Sequence, residues 1–169
     1  MSEQAAPTAR RSLRDRLEQA RRENYLDLRV TTPGFEGLFV RCRALTTTEL
    51  SASVDRHSGK DEAGVASAID TLVATCLGVW EDVDGKGVSP IDGFSGLIDL
   101  DTMVMSGDLP TFSSPELAEA LGLSDLRAEA VVRAVLAPNS GLRLMPYADA
   151  VADFSTGSAA DVVRTARGN

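Results

Sequence analysis

His57 is the only histidine in this 169-residue chain, and so the only side chain that titrates near neutral pH in an ordinary environment. Base-assisted nucleophilic catalysis therefore has a single candidate, set in Asp55-Arg56-His57-Ser58 at the predicted end of a helix. A solvated imidazole interacting with the helix dipole is the expected role there. Gly93-Phe94-Ser95-Gly96 approaches the glycine-framed serine of hydrolases but lacks the residue that motif needs between serine and second glycine. A phosphate-cradling loop at Gly85-Lys86 would need glycine where Trp80 stands and a hydroxyl where Gly87 stands. Asp82-Val83-Asp84-Gly85-Lys86-Gly87 opens like a calcium-binding loop, with its carboxylates and glycine correctly spaced. Lys86 opposes a cation, however, and Gly93 occupies the place of the closing glutamate. Glu81, Asp99, Asp101 and Asp108 fall in expected loops with no visible partner for a carboxylate dyad. No catalytic residue, metal ligand or cofactor is expected.

Composition narrows the remaining classes. A hydrophobic fraction of 43% suits one globular core, and no apolar run approaches the length that spans a bilayer. Residues 1 to 16 are polar and arginine-bearing with no apolar stretch behind them, unlike a secretory signal, so a cytoplasmic protein is expected. Cys42 and Cys76 imply no disulfide framework and read as buried thiols. The net charge of −8 is uneven. Residues 1 to 24 carry six arginines against four acids, or +2, which leaves −10 for the rest. So negative a body disfavours nucleic acid and leaves the N-terminal segment as the only candidate for such contact.

The elements are read from periodicity. Residues 1 to 9 have no pattern, and Ser12 with Asp15 caps a short helical signal carrying Leu13 and Leu17. Two leucines cannot hold so short a helix alone in water, so it frays or docks. Alternation over Tyr25 to Thr31 and again from Leu38 to Arg43, broken by Pro33-Gly34, predicts a β-hairpin. Helices are predicted from a capped start over Thr46 to Thr48 and Glu49 to His57, and from Asp61 to Gly78, the second with Val65, Ile69, Leu72 and Cys76 on one stripe. Val79 to Pro90 reads as a turn or small hairpin about Asp84-Gly85, and the glycine-rich chain to Leu109 shows no clear period. Further helices start at Pro115, at a Ser124 cap and near Pro146. The expected fold is α+β and mainly helical, an N-terminal β-hairpin followed by a bundle of about five helices. Residues 1–24 form a tail with an arginine-bearing helix, 25–157 the globular domain and 158–169 a weakly ordered tail.

Three phrases carry a family resemblance. Leu38 to Leu50 (LFVRCRALTTTEL), Trp80 to Pro90 (WEDVDGKGVSP) and Phe112 to Leu123 (FSSPELAEALGL) with the helices after it resemble the tail assembly chaperones of long-tailed bacteriophages. The resemblance spans roughly residues 25 to 155. The closing helix departs from it, ending in Phe154-Ser155 where tryptophan and serine are typical, and the N-terminal helix has no counterpart. It implies a non-catalytic assembly factor in the host cytoplasm that binds the tape-measure protein and the tail-tube protein, with self-association compatible. Leu117, Leu121, Val131, Val135, Tyr147 and Phe154 on the closing helices are then the candidate partner-binding residues, as groove wall or as core. Two other classes share this profile: a structural virion component such as a tail or connector subunit, and a small regulatory DNA-associated protein using the arginine-bearing helix.

Overall fold

The computed structural model describes residues 10–17, 25–56 and 62–166. Its centre is a single antiparallel sheet of six strands, β1 (Tyr25–Arg29), β2 (Leu38–Arg43), β3 (Cys76–Val83), β4 (Lys86–Val88), β5 (Leu97–Asp99) and β6 (Met105–Ser106). The strands lie side by side in chain order. A short helix over 13–17 (α1) precedes them. Helices α2 (Thr47–Arg56) and α3 (Glu62–Thr75) stand between β2 and β3. After β6 come α4 (Pro115–Ala120), α5 (Ala128–Leu136), a 3-10 turn at Gly141–Leu144 and α6 (Met145–Ala166).

The helical bundle expected after the hairpin does not form; the hairpin is instead the first third of the sheet. The difference lies in residues 76 to 106. α3 ends at Thr75, and Cys76 opens β3 without a loop, although Leu72 and Cys76 have helical spacing. After a register shift opposite Arg41 and Cys42, Gly78 and Trp80 alternate with Val79 and Glu81, the two-residue period of a strand. Glycine disguises the pattern, because strands normally avoid it. Here close approach requires it. A Cβ on Gly78 would lie 2.7 Å from Leu109 Cβ, and one on Gly87 would lie 2.8 Å from Ile98 Cβ and 2.9 Å from Trp80 Cε3. Asp84 and Gly85 both take positive φ, as a tight turn between two twisted strands demands, so the calcium-like phrase is a hairpin.

Two smaller boundaries also move. α5 begins at Ala128 rather than at Ser124, because Asp125 holds the backbone N–H of Arg127 at 3.0 Å and Arg127 is still extended. α6 continues past Gly157 to Ala166. At the other end, Ser12 Oγ accepts the Asp15 amide at 3.1 Å and so caps α1. Among the described residues no helix is long and apolar enough to cross a membrane.

Two apolar clusters hold these elements. On one face of β1–β3, Leu28, Leu38, Val40 and Val79 pack with α3 (Ile69, Leu72), α5 (Val131, Val135) and α6 (Ala148, Val151). On the other face, Trp80, Ile98 and Leu109 are buried with Phe39, Leu100 and Met105 around them. That second cluster joins side chains of β2 and β3 to those of β5 and β6, so the sheet curls over its own back.

Gly87→Ala is expected to lose about 1–3 kcal/mol through overpacking against Trp80 and Ile98. Gly157→Ala, where a Cβ meets nothing within 4 Å inside α6, is expected to gain up to about 1 kcal/mol. Urea unfolding followed by the fluorescence of Trp80, the sole tryptophan, measures both.

Candidate functional site

The inward turn of the sheet places a charged pair where the alternating pattern of β1 and β2 indicates solvent. Asp27 and Arg41 are directly opposed across the hairpin. Both Asp27 oxygens accept from the guanidinium, from Nε and Nη2, each at 3.0 Å. Arg41 is only 1% exposed. Its Nη1 donates to the Met103 carbonyl in the β5–β6 turn at 2.8 Å, and its guanidinium lies 5.0 Å over the Tyr25 ring. Trp80 Nε1 donates to Asp27 Oδ1 at 2.9 Å, and the Trp80 indole stacks on Phe39 at 4.4 Å. Three guanidinium nitrogens are thus engaged within the protein, and the group is closed to solvent. Such a pair fixes strand positions; it does not present a reactive group.

The residues nominated from the closing helices are not gathered into one surface. Leu117, Val131 and Val135 are buried in the main core. Leu121 is half-buried and borders a hollow of about 270 Å³ beside Phe35 and Ile91. Tyr147 turns its hydroxyl to Thr31, accepting the Thr31 amide at 3.1 Å and lying 2.9 Å from its Oγ1. Phe154 is half-buried on α6. His57 lies outside the described residues. Among those described, no three His, Cys, Asp or Glu side chains are grouped so as to hold a metal ion.

A surface absent from the sequence reading emerges at the far end of the sheet. Strand alternation carries the face of Val40 and Val79 onward through Glu81 and Val83, then through Val88 and Lys86, Leu97 and Asp99, and Val104 and Ser106. Over β1 and β2 this face is covered by α6 and α3. From the end of β3 to β6 it meets solvent, with Val83 44%, Leu97 46% and Val104 42% exposed. A hollow of about 680 Å³ opens there, lined by Lys86, Leu97, Asp99, Thr102, Val104 and Ser106. Residues 81 to 108 carry seven acids and one base, Lys86. On this face the exposed Val83, Leu97 and Val104 are interspersed with Glu81, Lys86, Asp99 and Ser106, so it is mixed apolar and charged. A signal existed in Leu97-Ile98, where adjacent apolar residues in one strand place one on each face of the sheet.

The two thiols are unreactive by their surroundings. Cys42 and Cys76 face each other in register across β2 and β3. Burial pushes the Cys42 thiol up to about 12 and the Cys76 thiol up to about 11, so neither ionises near neutrality.

Comparison with protein-family models, curated proteins and solved structures finds no match to the chain.

Asp27→Ala leaves the Arg41 charge buried without its carboxylate and is expected to lose about 3 kcal/mol in urea unfolding, most of it recovered when Arg41→Met is added. In the native protein at pH 8, iodoacetamide should label both cysteines far more slowly than in urea. Equal rates in the two conditions would contradict the burial of Cys42 and the half-burial of Cys76.

Proposed function

We propose that the protein is a non-catalytic polypeptide-binding factor that covers apolar surface on its partner with the exposed face of β4–β6. The supporting observation is that face itself, where the exposed Val83, Leu97 and Val104 stand among Glu81, Lys86 and Asp99. An amphipathic helix with basic flanks is the complementary shape and charge, laying its apolar stripe on the strip and its cations beside Asp99 and Asp101. The resemblance to phage tail assembly chaperones supplies the class of partner. Its three segments fall on β2 with α2, on the β3–β4 hairpin and on α4 to α6. In that reading the tape-measure protein, a long helical polypeptide, is held until tail-tube protein gathers around it, and the binding factor is released.

The test uses the product of a long helical reading frame beside the gene. It should co-purify with the wild-type chain and be lost with Leu97→Glu combined with Val104→Glu. Retention by the double variant would place binding elsewhere, and no complex with the wild type would sink the reading. Mass spectrometry of purified particles separates the roles further, because a structural subunit is found in them and a chaperone is missing.

A further inference from the structure

We propose that the hollow where the chain after β1 meets the start of α6 binds a carboxylate carried on a small apolar body. The site shares no residue with the hollow at β4–β6. It measures about 390 Å³ and is walled by residues after β1, at the end of α5 and around the start of α6. Pro33, Leu136, Pro138, Pro146 and Ala150 form its apolar part. That volume is near the low end of ligand pockets, roughly 300–1,000 Å³, so the body it takes is small.

Arg143, in the 3-10 turn, is the one charged residue of the lining. Arg41, Arg43, Arg127 and Arg133 each hold a carboxylate of this chain, whereas Arg143 has no ion pair among the described residues. The hollow at β4–β6 is lined by Asp99 and Asp101, and the one beside Leu121 by Glu36 and Glu81. Among the described residues no carboxylate lines this one. An unopposed guanidinium at a concave, partly apolar surface attracts an anion, and its planar fork matches the two oxygens of a carboxylate.

A hydroxyl adds a second donor. The Thr31 amide and Thr31 Oγ1 both reach the Tyr147 hydroxyl, at 3.1 and 2.9 Å. Only one hydrogen lies between the two oxygens, so whichever of them donates, the other hydroxyl hydrogen has no acceptor among the described residues. Asn139 brings a side-chain amide to the same hollow. One cation with neutral donors balances a single negative charge and leaves the second charge of a phosphate unmet. A carboxylate on an apolar body is either the last residue of a polypeptide or a small organic acid, and the two differ in the peptide group that Asn139 can meet.

Titration of the full chain, followed by amide NMR shifts, supplies the test. Both 4-methylpentanoate and N-acetyl-leucine should move the signals of Thr31, Asn139 and Tyr147, while 4-methylpentanamide and N-acetyl-leucinamide, which lack the charge, should not. Arg143→Gln should weaken binding of the acids by about tenfold or more without shifting the urea midpoint, because that side chain is exposed. Thr31→Val combined with Tyr147→Phe, which removes both hydroxyls, should weaken it as well. Either acid binding the tighter upholds the site: N-acetyl-leucine in front identifies a chain terminus, and 4-methylpentanoate in front a free acid. No shift from either acid at millimolar concentration overturns the proposal. So do shifts that persist unchanged in Arg143→Gln, shifts that the uncharged amides reproduce, and inorganic phosphate binding as tightly as the acids.

Discussion

A guanidinium cannot leave water unless its charge and donors are met inside the protein, and Arg41 meets that demand with groups from three parts of the sheet. Asp27 comes from β1, the Met103 carbonyl comes from the β5–β6 turn, and Trp80 of β3 holds Asp27 from the other side. The second apolar cluster has only three fully buried members, so apolar burial alone specifies the curl of the sheet weakly. Hydrogen bonds to one buried cation specify it strongly, because any other position of the turn leaves a guanidinium donor without its acceptor. Met103 adopts φ 59 at that point, a left-handed conformation that costs about 1–2 kcal/mol in a residue with a side chain. The contact to Arg41 is what the strained turn secures.

The curl has a second effect, on the opposite face. Bending β5 and β6 back over β2 and β3 carries them away from the helices, whose packing extends over β1 and β2. Six strands therefore share a helical layer sized for about half of them. The remainder of that face must be either polar or partnered. Its alternate positions are a mixture of both, with Val83, Leu97 and Val104 set between Lys86, Asp99 and Ser106.

Much of the outer fold was legible in the sequence, and the middle was not. Alternation located β1 and β2, and Ser12, Thr46 and Pro115 marked helix starts where helices begin. Three physical circumstances hid the rest. β4, β5 and β6 hold three, three and two residues, too few to display a period. Gly78 and Gly87 sit inside strands because a neighbouring side chain occupies their Cβ space, which reads locally as loop. β3 follows α3 directly, so Cys76 completes a helical stripe while belonging to a strand. The polar alternation of Asp27 and Arg41 correctly marked one face of the hairpin but implied that water covers it, since what covers it is a turn 62 residues further along. Val131 and Val135, expected on the closing helices as groove wall or as core, are buried in the main core.

The chain-order arrangement of the strands bears on how the molecule is made. Each strand pairs with the one before it, so the sheet can zip up progressively as the polypeptide leaves the ribosome, with little loop-closure entropy at each step. The helices that seal β1 arrive last: Thr31 waits for Tyr147, 116 residues away, and Leu45 waits 110 residues for the Ser155 hydroxyl. During synthesis α3 can cover β2 early, but the β1 end of that apolar side stays bare until the final helix emerges, and cross-pairing between nascent chains on neighbouring ribosomes is favoured in that interval.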